Sequence, residues 1–257
     1  MFPVSARSQG MGSVRVMLGD PWSGLQNQAG LAALQEYSFA FHYENHFLVP
    51  QMGLEAFTLC LPTRTGTLSL NYSCYGYAAY NENRIGLAFG KSFGDKFRAG
   101  LELNYMRVHQ AAGHGNMHTV IPAFGIQAMP VKQLIIAFHV FNPARQGFGN
   151  HTTEPVPAII RLGTGLLLGD EVLICLEIEK KSSVKPASVI GMEYSVSKQI
   201  YVRMGVRFGE YAQASFGLGY QLKSLQIDLA VWRHPVLGYS PALSVSCSFG
   251  TNRAGKF

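Results

Sequence analysis

The chain has 257 residues, of which 47% are hydrophobic and only 14% are charged, and its net charge is +6. Soluble domains carry about 25% charged residues, so this composition is unusual for a protein that meets water on every side. No run of about 18 apolar residues offers a transmembrane helix. The positive charges are scattered singly, with Lys180 and Lys181 as the one doublet, which excludes the basic patch that nucleic-acid binding requires.

The first predicted element is a hatch, which we define as residues 1–35. Residues 8–34 show no strand-like alternation; Asp20 is predicted to cap a short helix with Pro21 in its first turn, and residues 28–34 offer a second helix. A short helical segment ahead of a closed barrel is expected to lie inside it. The opening residues lack the apolar run of a secretory signal, so export would require a signal that was removed or that precedes the assigned start.

Residues 36–250 form a ladder of segments in which apolar and polar residues alternate with period two, and residues 251–257 are left as a tail. Segments of about ten residues separated by turn residues are typical of transmembrane β-barrels. The pattern predicts an all-β fold, a 14-stranded antiparallel transmembrane barrel. The predicted strands are residues 37–43, 53–61, 68–74, 85–90, 97–105, 120–128, 134–141, 158–167, 172–179, 188–196, 200–208, 214–222, 225–232 and 240–249.

The connections in this pattern alternate between longer and shorter segments. Residues 75–83 and 109–118 are examples of the longer kind, whereas Lys223 and Ser224 form a tight turn. Outer-membrane barrels place tight turns in the periplasm and longer loops outside. The chain is therefore expected to be a multi-pass protein of the outer membrane with both termini in the periplasm.

Charged residues on the non-lipid face are predicted to line the lumen, because a charge on the lipid face costs about 2–4 kcal/mol near the midplane. A turn centred on Lys198 places Glu193 opposite Arg203, and a turn centred on Gly169 places Arg161 opposite Glu177. The other predicted lumen charges are Arg98, Glu102, Arg207 and Asp228. Such pairs are expected to tie the hatch to the wall; a selective constriction is the alternative.

Three motifs could carry other chemistry. Gly90 to Gly94 matches G-x-S-x-G, and Ser195 to Lys198 matches S-x-x-K, but both end a strand at a turn where a nucleophile elbow would need a helix. The third is a histidine group in one loop, formed by His109, His114 and His118. Because no carboxylate or cysteine shares that loop, we expect no metal there. Because both serine motifs lie at turns between strands, we also expect no enzymatic activity, and no cofactor is expected. The four scattered cysteines are expected to be unpaired thiols.

The N-terminal segment resembles the opening of a known family. The matching residues are Ala6-Arg7-Ser8, Gly10-Met11-Gly12, Leu18-Gly19-Asp20, Trp22 and Asn27-Gln28-Ala29-Gly30-Leu31. This opening is similar to that of FadL-like outer-membrane proteins, especially the PorV and PorQ branch of type IX secretion in Bacteroidota. The chain departs from the family where Gln28 replaces the usual proline of Asn-Pro-Ala, and in its short length and small outside loops.

The resemblance implies a 14-stranded barrel whose N-terminal hatch lies in the lumen. The residues expected to build that hatch are Asp20, Trp22, Asn27, Ala29 and Gly30. Short loops favour an accessory subunit of an outer-membrane secretion or assembly complex, with the lipid bilayer, lipopolysaccharide and other outer-membrane proteins as partners. The alternatives are a passive channel for hydrophobic small molecules and a soluble β-rich protein. Nucleic acid is not expected as a partner.

Overall fold

The computed structural model describes residues 4–111, 115–148, 156–182 and 184–250. Within these ranges the chain forms two short α-helices, α1 (Ala6–Gly10) and α2 (Ser23–Gln26), followed by the 3₁₀ helix Gln28–Ala33. Fourteen strands follow: β1 (Tyr37–Asn45), β2 (Gly53–Pro62), β3 (Thr67–Tyr77), β4 (Tyr80–Phe93), β5 (Phe97–Gln110), β6 (Gly115–Val131), β7 (Leu134–Phe141), β8 (Ile159–Leu168), β9 (Val172–Lys181), β10 (Ala187–Ser195), β11 (Ile200–Phe208), β12 (Ala212–Leu222), β13 (Leu225–His234) and β14 (Gly238–Phe249). Two single-turn 3₁₀ helices, His46–Leu48 and Pro50–Met52, join β1 to β2. No helix in the described ranges has the length and apolarity to cross a membrane.

The strands form one closed antiparallel barrel in which each strand pairs with its neighbours in the chain and β1 pairs with β14. This confirms the predicted fold class and strand number. The closing pair runs from Tyr37 opposite Phe249 to Glu44 opposite Ala242. Closure matters because it leaves no strand with an unpaired edge, which is the condition for strands to stand in lipid.

Side chains alternate between the two faces of this wall. On β4 and β5 the outward Leu87 and Leu101 are 65% and 58% exposed, whereas the inward Ala88 and Glu102 are 3% and 1% exposed. An exterior of large apolar side chains around a polar interior is the arrangement of a barrel that faces hydrocarbon. The core therefore lies between the inner wall and the hatch.

The two ends of the barrel differ in their connections. We call the end that carries residues 46–52 and 142–148 the loop end, and the end at which Tyr37 and Phe249 lie the terminal end. The predicted long loop at residues 75–83 is wrong, because β3 and β4 continue to a turn at residues 78 and 79, where Tyr77 pairs with Tyr80. Polar residues in this stretch keep the period of a strand, and cross-strand pairing extends the hairpin instead of ending it.

The register of the predicted charge pairs is right at one turn and wrong at the other. Glu193 lies opposite Arg203, as predicted. Arg161 lies opposite Glu179 instead of Glu177. The β8–β9 turn occupies residues 169–171, with Gly169 at φ +61°, so the pairing shifts by two positions and both residues keep their face.

The hatch contains more helix than predicted, and its cap is a different one. Ser5 caps α1, because its side chain accepts a hydrogen bond from Ser8 N–H. Asp20 does not cap α2, since the N-cap residue is Trp22 and it makes no side-chain cap bond. The Asp20 carboxylate instead accepts from Trp22 N–H at 3.0 Å and holds the turn that precedes the helix.

Candidate functional site

Glycines of the inner wall make room for the hatch. A Cβ atom at Gly100 of β5 would lie 2.4 Å from the carbonyl carbon of Gln28, and one at Gly205 of β11 would lie 2.2 Å from the backbone nitrogen of Gly12. At these distances the hatch backbone itself would have to move. Glycines on the inward face of the ladder were therefore a sequence signal for where the hatch touches the wall.

The irregular stretch of the hatch between Arg15 and Leu18 is held by side chains of the wall. Glu177 Oε2 accepts from Arg15 N–H at 2.7 Å and from Val16 N–H at 3.0 Å. Gln127 Nε2 donates to Val16 O at 3.0 Å and to Leu18 O at 3.2 Å. These bonds satisfy backbone groups that have no helix or strand partner, and they fix this stretch across the lumen.

Asp20 and Trp22 occupy two different contacts of the hatch. Asp20 pairs with Arg7, with 3.3 Å between Oδ2 and Nη1, so α1 is tied to the turn that precedes α2. Trp22 is 3% exposed and packs edge-on against His42 of β1, with 5.8 Å between ring centroids. Trp22 thus anchors the hatch to the first strand.

Asn27, Ala29 and Gly30 form the turn into the 3₁₀ helix. Asn27 Oδ1 accepts from Ala29 N–H at 3.2 Å, and its Nδ2 donates to Val16 O at 2.7 Å. A Cβ atom at Gly30 would lie 2.4 Å from Leu18 O. The amide of Asn27 therefore shapes this turn locally, and Gln28 keeps the backbone N–H that a proline at this position would lack.

Arg203 joins two of the predicted acids. Its Nε lies 2.5 Å from Glu193 Oε2, and its Nη1 lies 2.7 Å from Asp228 Oδ1. Arg7 of the hatch completes the group with bonds of 2.9 and 2.7 Å to the two oxygens of Glu193. Through Arg7 and Glu193, this group of charges binds the hatch to β10.

A second group centres on Glu179, which the sequence analysis missed. Its carboxylate oxygens lie 2.7 Å from Arg161 Nε and 2.6 Å from Arg207 Nη2, with Lys181 Nζ at 3.7 Å and Arg15 Nη2 at 3.9 Å. Burial, together with repulsion by Arg161, lowers the pKa of the hatch residue Arg15 to about 10. The single negative charge of Glu179 is thus shared by four cations and cannot neutralise all of them.

The two remaining predicted charges behave differently. Glu102 pairs with Arg84 of β4 at 2.6 Å and also accepts from Gln28 Nε2 of the hatch at 3.0 Å. Arg84 was missed because it follows the stretch predicted as a loop. Arg98 lies near the terminal end of β5, and within the described ranges no ion pair of Arg98 is seen.

A buried carboxylate near the loop end was also assigned to a loop by the sequence. Glu44 is fully buried in β1, where Oε1 accepts from Trp232 Nε1 at 2.7 Å and Oε2 accepts from Gln9 Nε2 of α1. His46 Nδ1 lies 3.5 Å from the same carboxylate. Glu44 therefore fastens α1 to the seam where the barrel closes.

Two cavities open on opposite ends of the barrel. The loop-end cavity, of about 250 Å³, reaches the hatch at Gly12, Ser13 and Arg15. The terminal-end cavity, of about 190 Å³, reaches it at Met17, Leu18 and Gly19, and the wall adds the apolar residues Ile135, Leu167 and Leu173. Residues 13–18 of the hatch lie between the residues that line the two cavities.

The motifs set aside in the sequence are not assembled into a site. Ser92 lies in β4 and is followed by β5, so a strand follows the G-x-S-x-G motif, as predicted. His109 Nδ1 donates to Asn116 Oδ1 at 2.9 Å, and His118 Nδ1 is 2.6 Å from Tyr105 Oη; His114 lies outside the described residues. No cluster of three metal-ligating side chains is found among the residues described.

No protein-family model matches the chain, and no curated protein matches it in sequence. Solved structures do share its fold. The CymD monoaromatic hydrocarbon channel aligns with a TM-score of 0.74 and 11% identity over 97% of this chain and 98% of that one. The Ralstonia pickettii toluene transporter TbuX aligns at 0.69 and 12%, covering 97% and 98%. A Pseudomonas aeruginosa FadL homologue aligns at 0.64 and 13%, covering 97% and 99%.

These likenesses define the class as a closed 14-stranded barrel with the fold of FadL-like proteins. The similarity extends over nearly the whole length of both chains, so barrel and hatch are compared together. The resemblance read from the N-terminal residues is confirmed at the level of fold. The narrower likeness to the PorV and PorQ branch stays a prediction.

Proposed function

We propose that the chain is a non-enzymatic outer-membrane channel for small hydrophobic molecules and that the hatch closes it in this structure. The observation that carries this proposal is the pair of cavities separated by residues 13–18. The structures of like fold include a monoaromatic hydrocarbon channel and a toluene transporter, which supports the same class of passenger. The apolar outer face of the barrel is suited to contact with a lipid bilayer.

Passage would require the stretch between Ser13 and Leu18 to move away from β6 and β9. Its ties to the wall are all non-covalent: Glu177 and Gln127 bind its backbone, and its apolar side chains pack against Ala137, Cys175 and Val189 of the wall. The terminal-end cavity beyond it has the apolar residues Met17, Ile135 and Leu173 in its lining. A hydrophobic molecule that passed this stretch would therefore meet a surface that is largely apolar, with Arg7, Lys132 and Gln133 as its polar residues.

A disulfide between residues 13–18 of the hatch and the barrel wall tests the proposal. Met17 Cβ lies 3.5 Å from where a Cβ at Gly165 of β8 would stand, close to the Cβ separation of about 3.8 Å found in disulfides. Met17→Cys with Gly165→Cys, in a Cys175→Ala background because Cys175 lies opposite Gly165, should lock the hatch. We expect cells that produce the locked variant to take up radiolabelled toluene no faster than cells without the protein.

Reduction of the disulfide should restore uptake, and each single cysteine variant in the same background should behave like the parent. Unchanged uptake in the fully oxidised variant would refute a route past this stretch. Absence of toluene uptake by the parent itself would refute the channel. The accessory-subunit hypothesis would then gain weight, and recovery of a larger outer-membrane complex from native membranes would support it.

A further inference from the structure

The loop-end cavity has two unlike walls. Its aromatic side is formed by Phe47 after β1, Tyr75 of β3 and Trp232 of β13, and its cationic side by Lys181 of β9 and Arg207 of β11 with Arg15 of the hatch between them. In the closed barrel β13, β1 and β3 belong to one arc and β9 and β11 to another. The two kinds of side chain therefore meet across the mouth of the lumen.

The cationic wall carries more positive charge than its own acids balance. Arg15, Arg161, Lys181 and Arg207 all approach Glu179. A second carboxylate, Glu177, lies 3.9 Å from Arg161 Nε, and its Oε2 accepts from backbone N–H groups of the hatch. Lys185 and Glu210 line the neighbouring cavity with Lys181 and Arg207 and add one charge of each sign. The cations around Glu179 therefore outnumber the carboxylates by two, and three of them, Arg15, Lys181 and Arg207, line the loop-end cavity.

The cationic wall also contains a hydrogen-bond donor without a partner in the described ranges. Arg207 binds Glu179 through Nη2, while its Nη1 is buried and makes no hydrogen bond with any residue in the described ranges. A buried charged donor without a partner is costly, and an anion in the adjoining cavity would satisfy it. Lys181, with 35% of its side chain exposed, can turn its ammonium toward the same place.

The aromatic wall is held rigidly. The rings of Phe47 and Trp232 are 5.4 Å apart at 75°, and His46 lies edge-on to Trp232 at 6.0 Å and to Tyr75 at 5.6 Å. Trp232 is also fixed by its bond to Glu44. A set of edge-on rings presents flat faces and edges to a further ring, which is how aromatic groups pack best.

We propose that the loop-end cavity binds small aromatic carboxylates, with the ring against Trp232 and Phe47 and the carboxylate at Arg207, Lys181 and Arg15. This rests on the proposed function and narrows it, since it assigns an anionic passenger or ligand to the mouth of the channel. The volume of about 250 Å³ lies just below the usual range of ligand pockets, about 300–1,000 Å³, and so favours a single ring over a long chain.

The test is titration calorimetry on the full chain in detergent with benzoate. We expect saturable binding, weaker binding of inorganic phosphate and of cyclohexanecarboxylate, and no displacement by toluene. Lys181→Gln should weaken benzoate binding about fivefold, as expected for a partly exposed charge. The matched control is Lys198→Gln in the exposed turn at the terminal end, which should bind benzoate like the parent.

Intrinsic fluorescence offers a second readout, because the chain has only two tryptophans and one of them, Trp232, lines the cavity. Benzoate should quench it, with a midpoint that moves in parallel with the calorimetric Kd in Lys181→Gln. Equal binding of phosphate, or equal affinity of Lys181→Gln and parent, would overturn the proposal. A parent that takes up toluene but does not bind benzoate would overturn this inference and leave the proposed function standing.

Discussion

The backbone N–H of Arg15 donates a 2.7 Å hydrogen bond to the Glu177 carboxylate across the lumen. This bond joins the irregular stretch of the hatch between α1 and α2 to the middle of β9. Val16 N–H donates to the same oxygen, so one side chain of the wall supports two consecutive residues that lack secondary structure. The position of the hatch in the lumen therefore depends on the Glu177 carboxylate, which the sequence analysis placed in the lumen as a partner of Arg161.

Removal of the Glu177 carboxylate should weaken the attachment of residues 13–18 of the hatch to the barrel wall. Bonds to a charged acceptor contribute about 1.5–3 kcal/mol each, and 1.4 kcal/mol is a factor of ten, so Glu177→Ala should raise the open population about tenfold or more. Glu177→Gln should do less, because its amide oxygen can still accept. The measurement is single-channel conductance in planar bilayers, with Glu171→Ala in the exposed β8–β9 turn as the control. Equal conductance of Glu177→Ala and Glu171→Ala would contradict this role.

Loss of Arg203 should destabilise the whole barrel. Arg203→Gln leaves Asp228 without its arginine and Glu193 with Arg7 alone, and removing one partner of a buried ion pair costs about 3–5 kcal/mol. The free energy of unfolding by urea in lipid vesicles measures this. Arg233→Gln makes the same change at an exposed position and should shift that energy by less than about 0.5 kcal/mol. Similar losses in the two variants would show that Arg203 is not a structural tie.

A methyl group at Gly100 should displace the hatch. The new Cβ of Gly100→Ala would meet the backbone of Gln28 at 2.4 Å, whereas that of Gly165→Ala meets side-chain atoms of Met17 and Leu173 at 3.5 and 3.6 Å, which are ordinary van der Waals contacts. Gly100→Ala is expected to expose the Arg15–Val16 bond, the one trypsin site in residues 15–30, to trypsin added to purified protein, while Gly165→Ala stays resistant. If both variants resist trypsin equally, the close packing at Gly100 is relieved by a local shift, and the prediction is wrong.

A charge on the outer face should hinder insertion. Leu87 lies at mid-strand and is 65% exposed, so Leu87→Lys should lower the stability of the barrel folded in lipid vesicles by about 2–4 kcal/mol. Leu237→Lys, in the turn at the loop end, changes a residue of similar exposure outside the strands and should cost much less. An equal effect at both positions would argue that the outer face does not meet hydrocarbon.

The ladder was readable from the sequence because a strand's faces alternate residue by residue. Tyr37, Phe39, Phe41 and Tyr43 lie on one face of β1 in any register, and the structure exposes all four. The positions of the turns were predicted less well from the sequence. Tyr77 and Tyr80 flank a turn that the sequence had placed inside a long loop, since the polar residues that end one strand can equally continue another.

The sequence by itself determined the number of strands, the closed antiparallel wall and the inward direction of Glu193, Arg203 and Asp228, because period two and the cost of charge in lipid act locally on each strand. Only the tertiary structure decided that Arg161 serves Glu179, that Glu44 fastens α1 and that residues 13–18 separate two cavities. Those contacts join segments far apart in the chain, and their geometry follows from how the hatch fills the lumen, which no local pattern contains.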